Sequence, residues 1–246
     1  MHICDCKSLE EVFELGEVDE GSSEEKELSS FTELQLIKLP ELKCIWKGPA
    51  NHVSLQNLAH LNLISLNKLI FIFTLSLAQS LPKLESLNIG SCGELKHLIR
   101  EKDDAREITT ESLCFPKLRS LSISYCGKLE YVFPVSVSPS LLNLEEMEID
   151  FADNVKQIFY TGDALTRDGI IKFPKLRGLS LSNCSFFGPK NFSAQLPLQI
   201  LNIDGHKEVR NLFAQLQVRP LYFSNVSFSP ETFHALLPCL LISYCW

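Results

Sequence analysis

The chain has 246 residues, 45% of them hydrophobic and 22% charged, with a formal net charge of −7. That balance is the profile of a folded protein and excludes a disordered polyelectrolyte. The acidic excess, with no Lys/Arg cluster anywhere, argues against a nucleic-acid partner, which would call for a basic stripe.

The opening residues, Met1 to Lys7, hold no basic region followed by an apolar core, so no signal peptide is read there. An apolar series starts at Ile3 and continues through Cys6, Leu9, Val12 and Phe13. It returns more fully at Phe31, Leu34, Leu36, Leu39, Leu42, Ile45 and Trp46, then at Leu58, Leu61, Leu63, Leu66, Leu69, Ile72 and Phe73. The most apolar stretch, Leu69–Ala78, is too short for a membrane span of ~20 residues and falls in register with the series, so it reads as core.

Two copies define the frame best. Leu84-Glu-Ser-Leu87-Asn-Ile89-Gly-Ser-Cys92-Gly-Glu-Leu95-Lys-His-Leu98-Ile99 matches Leu118-Arg-Ser-Leu121-Ser-Ile123-Ser-Tyr-Cys126-Gly-Lys-Leu129-Glu-Tyr-Val132-Phe133 at every apolar position. The frame recurs at Leu144, Met147, Ile149, Ala152, Val155, Ile158 and Phe159, at Leu176, Leu179, Leu181 and Cys184, and more weakly from Leu198 to Phe213. Taking the residue aligned with Ile123 as marker gives positions 3, 36, 63, 89, 123, 149, 181 and 203. Leucine-rich repeats run ~20–29 residues, so the longer steps carry insertions. The polar segments Gly16–Ser30, Arg100–Ser112 and Thr161–Lys172 are the insertions and are expected to be loops.

The alternation Leu121-Ser122-Ile123 specifies a short strand with one buried face. The chain then turns inward at Cys126, and Leu129 and Val132, three apart, suit a helical turn or coil. One repeat buries about six side chains worth ~1.5–3 kcal/mol each, against ~1–2 kcal/mol of backbone entropy for every residue ordered. A single repeat therefore cannot fold alone, and stacking makes the core continuous. The expected fold is an α/β leucine-rich-repeat solenoid, with a parallel concave sheet and an irregular or short-helical convex side. Residues 1–213 form the array, seven repeats plus an N-terminal partial one. Residues 214–246, with Pro220, Pro230 and Pro238 and no repeat register, form an irregular C-terminal segment or cap, with a short helix near Glu231–Leu237.

At Phe115-Pro-Lys-Leu118-Arg-Ser-Leu121, Phe173-Pro-Lys-Leu176-Arg-Gly-Leu179 and Leu39-Pro-Glu-Leu-Lys-Cys-Ile-Trp46-Lys-Gly-Pro the sequence resembles the C-terminal repeats of plant intracellular disease-resistance proteins. These are the coiled-coil, nucleotide-binding, leucine-rich-repeat immune receptors, and the resemblance covers residues 1 to about 213. It implies a cytoplasmic module that recognises a protein partner: a pathogen effector, a host protein, or the receptor's other domains. It implies no membrane partner. In such receptors the repeats also restrain a nucleotide-binding switch. No G-x-x-x-x-G-K-[ST] occurs here, so no nucleotide or other cofactor is expected. The chain starts inside a repeat and reads as a fragment or truncated product, with an exposed first repeat that favours aggregation. The alternative is the ectodomain of a secreted or membrane-anchored repeat receptor, which would call for a signal peptide, paired cysteine caps and the phrase L-x-G-x-I-P.

Chemistry-bearing residues point away from catalysis. Nine cysteines show no paired spacing, which favours reduced thiols. Cys6, Cys92, Cys126 and Cys184 share a repeat position that elsewhere holds Leu39, Leu66 and Ala152, so buried structural cysteines are expected rather than metal ligands. The histidines form no set with a serine or cysteine and a carboxylate, and no G-x-S-x-G occurs; catalytic and metal sites are expected to be absent. The candidate binding surface is the concave face, at Gln35, Asn62, Asn88, Ser122, Glu148, Ser180 and Asn202, with an acidic centre at Glu146, Glu148 and Asp150. Beside it Thr32, Ala59, Glu85, Arg119, Glu145, Arg177 and Gln199 should align as a column whose charges alternate in sign from Glu85 to Arg177.

Overall fold

The computed structural model describes residues 1–14, 30–47, 55–100, 113–155, 157–160, 169–182, 188, 192–195, 197–204, 215–216 and 225–228. Among them, nine short strands form one sheet in strict chain order: His2–Cys4, Glu33–Ile37, His60–Ile64, Ser86–Gly90, Ser120–Ser124, Glu146–Asp150, Gly178–Ser182, Ile200–Asp204 and Asn225–Phe228. Every pairing is parallel. The markers Ile3, Leu36, Leu63, Ile89, Ile123, Ile149, Leu181 and Ile203 stand opposite one another in succession. Unequal insertions thus leave the register untouched, because a one-residue slip would turn both apolar side chains of a strand to the open face. The sheet continues past residue 213, with Leu201 opposite Val226 and Ile203 opposite Phe228. Asn225-Val-Ser-Phe228 keeps the strand alternation although the surrounding prolines hide the longer frame.

Among the described residues, six of the nine strands are followed directly by a residue with positive φ: Asp5, Lys38, Ser65, Ser91, Tyr125 and Phe151, at 51–60°. That turn drives the next residue into the core, where Leu39, Leu66, Cys92, Cys126 and Ala152 are fully buried. The N–H of Lys38 donates to Ile64 O (2.9 Å), that of Ser65 to Gly90 O (2.8 Å), that of Ser91 to Ser124 O (2.9 Å) and that of Tyr125 to Asp150 O (3.1 Å). These bonds offset part of the ~1–2 kcal/mol that left-handed backbone costs an L-residue. A single hydrogen-bonded turn follows, closed by Leu42 N to Leu39 O, Leu69 N to Leu66 O, Leu95 N to Cys92 O and Leu129 N to Cys126 O at 3.1–3.3 Å.

Opposite the sheet, the segments expected as turns or coil are in large part short parallel strand pairs. Glu11–Glu14 pairs with Cys44–Lys47, Phe71–Thr74 with His97–Arg100, and Tyr131–Pro134 with Gln157–Tyr160. Aromatic and β-branched residues crowd these positions and favour extended backbone. A short α-helix, Leu75–Gln79, is capped by Thr74 Oγ1, which accepts from Leu77 N at 3.3 Å, and a 3-10 turn spans Val135–Ser140. The described end of the polar segment Thr161–Lys172 is a further strand, Gly169–Lys172, paired with Phe192–Gln195. Its β-branched pair explains the departure from a loop: Ile171 is buried while Ile170 faces out. The insertions at 16–29 and 101–112, and the helix expected near Glu231–Leu237, lie outside the described residues.

A spine of five fully buried phenylalanines runs through the stack. Ring centroids are 5.1 Å apart for Phe73–Phe115, 6.4 Å for Phe115–Phe133, 5.9 Å for Phe133–Phe159 and 5.4 Å for Phe159–Phe173. Leu69–Ala78 is core as expected, with Ile72, Phe73, Leu77 and Ala78 buried. Charged columns clip the outside. Lys68 Nζ meets Glu41 at 2.5 Å and Lys128 Nζ meets Glu94 at 2.6 Å, two residues beyond each inward turn. Both pairs are half-exposed, so they guide register more than they stabilise. Among the described residues no helix is long and apolar enough to cross a membrane.

Candidate functional site

Alternation along each strand leaves its odd positions on the open face, and the register assembles them into columns. Gln35, Asn62, Asn88, Ser122, Glu148, Ser180 and Asn202 stand side by side, one per strand. Within this column Asn88 Nδ2 donates to Asn62 Oδ1 at 2.9 Å and Ser122 Oγ donates to Glu148 Oε2 at 3.3 Å. Glu146 stands in a flanking column between Ser120 and Gly178, and Asp150 lies opposite Ser124 in the other. Glu146 and Glu148 are exposed, and Asp150 is half-buried. All nine candidate residues therefore lie on one face.

The face is closely packed at one place. A Cβ on Gly90 would stand 2.9 Å from Ile64 Cδ1, so the isoleucine on the adjacent strand lies across the bare glycine. That contact covers the sheet on the side away from the carboxylates. Toward Glu146–Asp150 the neighbours are serines and a glycine, and the carboxylates stand above them.

The column leading into the strands is aligned as expected. Glu85 N donates to Ala59 O, Arg119 N to Glu85 O, Glu145 N to Arg119 O, Arg177 N to Glu145 O and Gln199 N to Arg177 O, all at 2.8–2.9 Å. One of the three expected ion pairs forms within 4 Å: Arg119 Nη1 lies 3.8 Å from Glu145 Oε1. Glu85 and Arg177 make none among the described residues. Exposed side chains gain too little in water to hold every partner in one geometry.

The cysteine expectation divides. Cys92 and Cys126 are fully buried on neighbouring repeats, and their thiols donate to Gly90 O (3.5 Å) and Ser124 O (3.4 Å). A small, apolar side chain with a weak donor suits this inward turn. A hydrogen bond shared with Cys126, together with burial, pushes the Cys92 thiol well above its ordinary range. Burial alone pushes Cys114 up to about 11. Cys6 departs from the expectation: it is exposed. The His2–Cys4 strand has a sheet neighbour on one side only among the described residues. Cys184 lies outside the described residues. Among the described residues no three His, Cys, Asp or Glu side chains gather as a metal site.

One feature of the rim escaped the sequence reading. Tyr125 and Phe151, the strand-ending residues of consecutive repeats, stack with centroids 4.7 Å apart and rings 5° from parallel. They remain 58% and 55% exposed, against the usual tendency to bury aromatics. Phe151 N donates to Ser182 Oγ at 2.8 Å, so a side chain supplies the acceptor that backbone carbonyls supply in the preceding repeats. Their signal was an aromatic residue just after the strand in two successive repeats.

The family model for plant disease resistance protein RPS2-like leucine-rich repeats matches residues 1–93 and 95–185, most of the chain. No curated protein and no solved structure matches.

Proposed function

Since the chain belongs to the leucine-rich-repeat family of RPS2-like plant disease-resistance proteins, we propose that it serves such a protein as its recognition module. It binds a protein partner on the concave sheet and carries out no reaction. The partner is a pathogen effector, a host protein or another domain of the receptor. The observation that carries this reading is the open face itself: a continuous parallel sheet whose central outward column, from Gln35 to Asn202, is polar throughout, while the inward residues of its strands from Leu34 to Ile203 are buried. A concave parallel sheet of this kind offers extended partners a long surface. The six described cysteines are free, and two of them, Cys4 and Cys6, are exposed, which suits a reducing cytoplasm.

Site-specific photo-crosslinking tests the proposal. A crosslinking amino acid at Ser122 or Ser180 on the concave face should capture a discrete protein in plant tissue. The same group at Lys117, before the strand, should not. Equal capture from both positions would overturn the assignment to the concave face.

A further inference from the structure

The inference rests on the reading that the concave sheet receives a protein, and it concerns the chemistry of what is received. The stacked pair Tyr125–Phe151 presents more than half of its surface to solvent at the end of two adjacent strands. The other strand-ending residues described, Asp5, Lys38, Ser65 and Ser91, are polar. Beside the pair, on the strand that leads into Phe151, Asp150, Glu148 and Glu146 occupy alternate positions on the open face. Alternate residues of a strand stand ~6.6 Å apart, the same spacing as alternate side chains of any extended chain laid along it.

The surroundings sharpen the picture. The carboxylates are bordered by Ser120, Ser122 and Ser124 on one side and by Gly178 and Ser180 on the other. These side chains are small, so a partner backbone can approach closely. Within the nine-stranded sheet, none of the strands from Ser86–Gly90 to Ile200–Asp204 contains a lysine or arginine. The nearest arginine before the Ser120–Ser124 strand, Arg119, is engaged with Glu145. The outward strand positions here are thus negative or small and neutral, with the stacked rings at one end and Arg177 just before Gly178 at the other.

We propose that this part of the sheet docks an extended segment of a partner protein that carries arginines at alternate positions. One guanidinium lies on the Tyr125–Phe151 pair with its charge toward Asp150, and the next two face Glu148 and Glu146. Arginine fits better than lysine because its planar cation stacks on aromatic rings as well as pairing with carboxylates. Nucleic acid and anionic membrane surfaces carry the wrong charge for the same patch.

The test uses the full chain and a fluorescent alternating arginine–serine nonapeptide, followed by anisotropy at low ionic strength. Lysine–serine and glutamate–serine peptides of the same length are the comparators. Two double variants are needed. Tyr125→Asn with Phe151→Asn removes the rings with a residue that tolerates positive φ, and Glu146→Gln with Glu148→Gln removes charge without changing shape. The arginine peptide is expected to bind, about ten-fold more weakly to either variant. It should bind the unaltered chain about three-fold more tightly than the lysine peptide, with that preference lost in the asparagine variant. Four results would overturn the proposal: no binding of the arginine peptide, binding of the lysine peptide as tight as that of the arginine peptide, equal binding of the glutamate peptide, or unchanged arginine affinity in a variant that melts like the parent. The arginine–lysine comparison requires no variant, so the proposal stays testable if a substitution fails to fold. If these results appear while Ser122 still crosslinks a protein, the basic-segment assignment falls and the concave recognition surface stands.

Discussion

Replacing Phe133 with alanine should be the most damaging single truncation in the middle of the stack. Phe133 is fully buried, with Phe115 on one side and Phe159 on the other, and both of these are also fully buried. Losing the ring forfeits ~1.5–3 kcal/mol of transfer free energy. The cavity left behind brings a typical Phe→Ala change to ~3–5 kcal/mol. Neighbours locked in a stacked spine cannot collapse into the space, so about 4 kcal/mol is expected, a large part of the ~5–15 kcal/mol that a domain has in total. Repeat arrays are stabilised mainly by nearest-neighbour interfaces, so the loss should stay local at first. Urea denaturation should show a lower midpoint and a shallower slope as the stack stops unfolding as one unit. Amide hydrogen exchange should accelerate in Ser120–Ser124 and Glu146–Asp150 well before Glu33–Ile37. A loss below about 1 kcal/mol would refute the reasoning, and so would equal acceleration at both ends of the sheet.

Further outcomes follow from other contacts. Glu145→Lys should cost only about 0.2–0.5 kcal/mol, since the pair with Arg119 is largely exposed; adding Arg119→Glu should recover part of it, and strictly additive losses in thermal melts would show that the two side chains are uncoupled. Ser182→Ala should cost about 1–2 kcal/mol by leaving Phe151 N–H without its acceptor; an unchanged urea midpoint would contradict that. Cys114 holds its proton up to about 11 in the folded chain, above the ordinary value of 9.0. Its contribution is therefore complete below the unfolded value and is lost as pH rises through that window, by up to about 1.4 kcal/mol per pH unit. Cys114→Ala should flatten this alkaline fall in stability, measured by urea melts across the window, and an unaltered slope would count against the buried thiol as its cause. In timed alkylation read by mass spectrometry, Cys4 and Cys6 should label before Cys92, Cys114 and Cys126; early labelling of Cys92 or Cys126 would show that the core opens far more readily than its packing implies.

The sheet was legible in the sequence because its two requirements are local. A strand with one buried face needs alternation, which Leu121-Ser122-Ile123 and its counterparts display. A parallel stack needs each repeat to present the same face, which the markers from Ile3 to Ile203 satisfy. The outward columns follow from the same alternation, so Gln35 through Asn202 could be placed on one face in advance. The return path was less legible. Val132-Phe133 fits a turn or a strand equally well as a pattern, and only pairing of Tyr131–Pro134 with Gln157–Tyr160 decides between them. Gly169–Lys172 was concealed by its polar surroundings and becomes a strand through a partner more than twenty residues away.

By itself, then, the sequence determined the repeat, the register of the sheet and the identity of its core, because apolar periodicity is an instruction each repeat carries alone. Tertiary structure decided what depends on neighbours. It made Tyr125 and Phe151, separated along the chain, into one stacked surface. It left Cys6 exposed while burying Cys92 and Cys126 at the equivalent position, and it selected Arg119–Glu145 from the possible ion pairs of an aligned column. The physical reason is the same in each case. Burial of a repeat face is dictated by hydrophobicity along the chain, whereas stacking, exposure and charge pairing depend on which side chain from the next repeat arrives beside it.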